Sequence, residues 1–150
     1  MYAKILVPLD GSDTSVKGLR EATRLARLTG GQLRLLHVND LQALASYSTA
    51  GLGLTPEVLE LVRQGGDDLL AKARAEVEAA GVPVQTQMIE AVGTRVSDLV
   101  VQVAGEWGAE LIVLGTHGRR GLGRALMGSD AEQIVRHAPV PVLLVRGGKA

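Results

Sequence analysis

The chain of 150 residues has no cysteine and no phenylalanine, and only 2% of it is aromatic. Without thiols it can form no disulfide, no thiolate zinc site and no cysteine nucleophile. With so few rings, its core must be assembled from Val, Leu, Ile and Ala. An excess of either charge is also lacking: 16 Lys and Arg balance 16 Asp and Glu, and the isoelectric point lies near 6.8. That balance argues against a general nucleic-acid or anionic-membrane binder, which needs a basic surplus. No apolar run approaches the roughly 18 residues that a membrane span requires. The opening segment is interrupted by Pro8 and Asp10 too soon for the apolar region of a signal peptide. Neither nucleic acid nor membrane is expected as a partner, and the cytoplasm is the expected compartment.

What the chain does have is 46% hydrophobic residues and 19 glycines. That content excludes a disordered chain, and the length suits one domain over residues 1–150. Short β-branched runs alternate with longer helical patterns, the signature of βαβ units and an open parallel sheet with helices on both faces. Strands are expected near 5–7, 33–38, 84–90 and 111–114, with a last one from Val140 to Val145. The first is a continuous apolar run, as suits a strand covered on both sides. The third alternates, and the last follows Pro139 and contains Pro141, so both read as suited to an edge. Four helices fill the intervals. Ser12 caps the first, which Gly30 stops. Thr55 and Pro56 open the second, where Gly65 and Gly66 predict a bend or a break. The others cover about 95–107 and 129–137. Residues 41–54 show no clean period and read mostly as loop, with room for a short helix.

In such sheets, ligands sit beyond the carboxyl ends of the strands, where the strand order reverses. Of the segments that follow strands, residues 115–129 are the most peculiar. Gly115 and Gly118 adjoin the end of an apolar strand, while Gly128 and Ser129 sit at a helix start. Glycines let backbone amides approach a ligand, and a helix start adds free N–H groups and the positive dipole end, a ready site for phosphate oxygens. On composition alone, a mobile connection with Ser129 merely capping its helix fits equally well. There is no G-x-x-x-x-G-K-[ST], which excludes a P-loop NTPase, and the spacing of Gly118, Gly121 and Gly123 is not that of a dinucleotide fingerprint.

The pattern G-x2-G-x9-G-S, filled by Gly115, Gly118, Gly128 and Ser129, resembles the ATP-binding signature of the universal stress protein family. The opening Lys4–Ser12 segment, the run from Ala109 to Gly118 and that from His137 to Val145 are similar to the family's first, fourth and fifth strand regions. The resemblance implies a Rossmann-like sheet of order 3-2-1-4-5. It also implies a homodimer through the last strand, and ATP, or AMP or ADP, as ligand, with or without Mg2+ or Mn2+. Carried over by position, Asp10 and the backbone near Pro8 hold the nucleoside. Val38 meets the adenine through its main chain, and Leu114 and Gly115 line the base and ribose. Gly118, Gly128, Ser129 and Asp130 surround the phosphates. Asp130 departs from the family pattern, in which an apolar or hydroxylated residue is usual. Its carboxylate would repel a triphosphate unless a divalent cation lay between them.

Other residues have ordinary readings beside functional ones. Asp10 suits a turn cap as well as a nucleotide contact. Arg119, Arg120 and Arg124 can neutralise phosphates or simply be solvated. His117 lacks a paired carboxylate nearby in sequence, His137 suits a helix C-terminus, Trp107 suits packing, and Tyr47 suits a surface. No nucleophile or acid–base pair is recognisable, so no catalytic residue is assigned. The expectation is a nucleotide-binding stress-response sensor or regulator. The alternatives are a scaffold that binds no nucleotide and a slow ATPase, whose water-orienting candidates are His117, Asp10 and Asp130. An adenylating enzyme is disfavoured by Asp10-Gly-Ser-Asp13 in place of a Ser-Gly-Gly loop. A phospho-acceptor domain is disfavoured by Glu90 and Arg146 where aspartate and lysine are required.

Overall fold

The first strand, β1 (Lys4–Pro8), carries Ile5, Leu6 and Val7, each at most 1% exposed. A strand with no wet face must lie between two others and beneath helices on both sides. The computed structural model, which describes residues 1–46, 54–116 and 129–147, shows that arrangement. The remaining elements are α1 (Asp13–Thr29), β2 (Gln32–Asp40), α2 (Leu41–Ser46), α3 (Pro56–Ala79), β3 (Val84–Ala91), α4 (Val96–Trp107), β4 (Leu111–Thr116), α5 (Ser129–His137) and β5 (Val142–Arg146). All strand pairs are parallel and the order is β3-β2-β1-β4-β5. The result is a single-domain α/β fold, with β3 and β5 at the edges as their proline and alternation patterns predict.

Period-two alternation along the strands divides the core. Ile5, Val7, Leu33, Leu35 and Val113 point toward α1 and α3, where they meet Leu19, Ala22, Leu70 and Val77. Leu6, Leu36, Ile112 and Leu114 point the other way, toward Val100 and Val103 of α4 and Ile134 of α5. At about 25 cal/mol per Å2, each fully buried Leu or Ile contributes on the order of 2 kcal/mol. This aliphatic core stands in for the missing aromatics. Trp107 closes the lower edge of the second layer, with the Arg34 guanidinium 4.7 Å and the Lys4 ammonium 5.6 Å from its ring centre.

Residues 41–46 form α2, the short helix for which the aperiodic stretch left room, so two helices separate β2 from β3. The structure corrects two other expectations. Helix α3 runs unbroken for 24 residues through Gly65 and Gly66. Gly66 is buried because the helix lies directly on β2 and β3: a Cβ there would stand 2.5 Å from Met88 Sδ and 3.0 Å from His37 Cδ2. The last strand starts at Val142, not Val140. The Pro141 carbonyl accepts from Ile112 N at 3.0 Å, but its ring nitrogen has no proton to continue a ladder.

Candidate functional site

Strand β1 pairs with β2 on one side and β4 on the other, so the connections leaving its carboxyl end diverge. A cavity of about 270 Å3 opens at this reversal, slightly below the roughly 300–1,000 Å3 of ordinary small-molecule clefts. Its lining is mixed: Leu36 and Val38 from β2, Val96 and Val100 from α4, Leu114 from β4 and Ile134 from α5 are aliphatic, while Asp10, Ser12, Thr14, Ser15, Thr116, Ser129 and Asp130 are polar. Such a site suits a flat apolar ring that carries a hydroxylated or anionic tail.

Asp10 shapes the turn after β1. Its Oδ1 accepts from the Ser12 amide at 2.9 Å and from the Ser12 hydroxyl. Ser12 Oγ then accepts from the Ser15 amide at 3.2 Å, capping α1. Burial pushes the Asp10 pKa up, but the hydrogen bonds from Ser12, supported by the Ser15 hydroxyl, outweigh it and hold the carboxyl below its ordinary value. The turn-capping reading of Asp10 is thus realised, on a residue that also lines the cavity.

Gly115 is required by packing. A Cβ on it would collide with the Thr14 carbonyl, and a Cβ on Gly18 would stand 3.0 Å from Gly115 N. The first turn of α1 therefore rests directly on β4, which brings Thr14 and Ser15 to the cavity wall. Asp130 is exposed in the first turn of α5 and lines the same cavity. Partial desolvation, followed by repulsion from the carboxylates of Asp40 and Asp10, raises its pKa.

Of the residues singled out from the sequence, Pro8, Asp10, Val38, Leu114, Gly115, Ser129 and Asp130 line this one cavity. Gly118, Gly128, His117, Arg119, Arg120, Arg124 and Tyr47 lie outside the described residues. His37 takes no part in the cavity wall: its ring spans the Leu9 carbonyl (2.8 Å) and Asn39 Oδ1 (2.9 Å). The sequence reading missed Ser12, Thr14 and Ser15 as lining residues, along with Val96 and Val100 of α4. The hydroxyl cluster in the first turn of a helix that follows a strand was the available signal. Among the described residues, no group of three His, Asp or Glu is placed to hold a metal ion, and no helix is long and apolar enough to cross a membrane.

The profile of the universal stress protein family matches residues 1–146. A universal stress protein of Methanocaldococcus jannaschii is 33% identical over 149 residues, which cover 99% of this chain and 85% of that protein. Among solved structures, a member of the same family from Burkholderia pseudomallei is 34% identical with a TM-score of 0.76, covering 96% of each chain. The universal stress protein of Archaeoglobus fulgidus in complex with dAMP shares the fold at 23% identity, with a TM-score of 0.69 over 97% of this chain and 98% of that one.

Proposed function

The chain belongs to the universal stress protein family, and on that premise we propose that it binds an adenine nucleotide in the cavity beyond β1, β2 and β4. In this reading it acts by occupancy, as a stress-response sensor or regulator. The observation that carries the reading is one cavity, at the point of strand reversal, that is lined both by aliphatic side chains and by hydroxyl and carboxylate groups. The dAMP complex of the Archaeoglobus fulgidus relative supports it.

The base lies between Val38 and the α4 side chains, with the Val38 main chain reading its polar edge. Asp10 and the Pro8 backbone hold the ribose, while Leu114 and Gly115 form the floor. Ser129, at the start of α5, supplies a hydroxyl and the positive end of the helix dipole to the phosphate. Gly118 and Gly128 complete the phosphate side. In this reading a divalent cation enters with the phosphates. In the same reading the protein is cytoplasmic and a homodimer through β5, where Leu143 and Leu144 are 37% and 38% exposed on an edge strand.

Mass spectrometry of small molecules released from freshly purified protein, followed by calorimetric titration with adenosine and AMP, tests the reading. Binding in the micromolar range is expected, and Gly118→Val is expected to abolish it without changing the melting temperature. No heat with either ligand up to millimolar concentration refutes it. In that event the scaffold reading stands, which the Asp130 carboxylate in the cavity specifically favours.

A further inference from the structure

Three carboxylates from three elements interact here: Asp10, at the end of β1, and Asp130, at the start of α5, line the cavity, and Asp40, at the end of β2, acts on Asp130 electrostatically. Two have fixed structural work. Asp10 holds the Ser12 turn, and Asp40 Oδ1 accepts from the Ala43 amide at 3.0 Å, capping α2. Asp130 makes no hydrogen bond to a described residue, and it lines the place where the dipole of α5 would otherwise favour an anion. A helix start offers roughly half a positive charge, whereas an ionised carboxylate in the same turn carries a full negative one. The described residues that line the cavity include no Lys, Arg or His to offset it.

We infer that Asp130 is a specificity-determining residue that ranks adenine nucleotides by phosphate charge, admitting adenosine and the monophosphate in preference to the metal-free triphosphate. The inference rests on the adenine-nucleotide reading of the cavity and deepens it. Partial burial, followed by repulsion from Asp40 and Asp10, raises the proton affinity of Asp130, in keeping with its position on the cavity lining. Metal-free ATP carries about two more negative charges than AMP, and two charges about 12 Å away, at an effective dielectric of about 40, weaken binding on the order of tenfold. The uncharged nucleoside is insensitive to this effect. The sorting therefore follows ligand charge and not ligand size.

The test is calorimetric titration of the full chain with adenosine, AMP and ATP in the presence of EDTA, for the wild type, Asp130→Asn and Asp130→Ser. In the wild type, the Kd for ATP is expected to exceed that for AMP by on the order of tenfold. Both variants are expected to tighten ATP more than AMP, closing the gap by about that factor, while leaving adenosine within about twofold, because adenosine carries no charge for Asp130 to repel. Adenosine is the internal control, since damage to the fold weakens all three ligands together. Adding Mg2+, which lowers the charge of ATP, should narrow the gap in the wild type more than in the variants. ATP binding the wild type as tightly as AMP, or a gap unchanged in both variants, overturns the inference and leaves the nucleotide site standing. Failure of adenosine and AMP to bind any of the three proteins overturns the site reading itself, and the inference with it.

Discussion

Asp10 and Asp130 face one cavity with opposite electrostatic consequences. The folded-state pKa of Asp10 is depressed, so its carboxylate stabilises the fold above its ordinary value of 3.8, and that contribution is lost as pH falls through the lower folded value. Charged hydrogen bonds are worth roughly 1.5–3 kcal/mol when buried, and exposure of this turn reduces that to about 1 kcal/mol. Asp10→Asn should therefore lower the melting temperature near neutrality, and the difference from wild type should shrink in acid below 3.8. The folded pKa of Asp130 is raised, so its charge opposes folding at neutral pH and stops doing so once both states are protonated. Asp130→Asn should melt no lower than wild type near neutrality and converge with it in acid. Thermal unfolding followed across pH by circular dichroism checks both signs. The capping role of Ser12 was legible because an Asx turn and an N-cap depend on residues two or three apart. The places of Thr14 and Ser15 on the cavity wall were not, because they depend on how closely α1 approaches β4. That distance is set by Gly18 and Gly115, which are far apart in sequence.

At the scale of elements, the adjacent glycines of α3 separate local preference from packing. Gly65 faces open space, with no atom within 4 Å of where a Cβ would stand, whereas the Cβ of a residue at 66 would press on Met88 and His37. Gly65→Ala should stabilise the protein by about 0.5–1 kcal/mol, the helix-propensity difference, read from the midpoint of urea unfolding. Gly66→Ala carries the same propensity gain, but it must displace Met88 and a ring held at both nitrogens, an overpacking cost of about 1–3 kcal/mol. It should unfold at lower urea than Gly65→Ala. This contrast explains why the sequence suggests a break that the fold does not contain. Two glycines weaken an isolated helix, but the contacts from β2 and β3 that hold α3 together come from residues more than twenty positions away. Caps and periods were legible by comparison: Thr55 accepts from Val58 N at 3.2 Å, and Pro56 opens the helix as its position predicts. Six-residue α2 carries too few turns to show a period, so it merged with its loop.

For the molecule as a whole, alternating strands and helices read from sequence were enough to place a site beyond the strand ends. They could not rank the five strands across the sheet, an order that came from family resemblance. That order puts β5 at an edge, and its carboxyl half pairs with the cavity floor: Gly115 is in register with Val145 and Thr116 with Arg146. Just past the strand, Gly147 N donates to the Thr116 carbonyl at 2.6 Å, and Gly147 packs against Thr14. The proposed dimer edge is therefore built on the segments that line the proposed nucleotide site. A ligand that contacts Gly115 and Thr116 touches the strand paired with β5, so nucleotide binding and dimerisation should be linked with the same sign in both directions. Sedimentation equilibrium should show species of one and two times 15.7 kDa, with AMP shifting the balance toward the larger. Leu144→Lys places charge on the exposed edge and should abolish the dimer while weakening AMP by no more than the coupling factor, about five- to tenfold. A dimer constant unchanged by AMP would separate the edge from the cavity. Occupancy would then have to be signalled through the other face of the rim, where α5 and the start of α1 meet solvent.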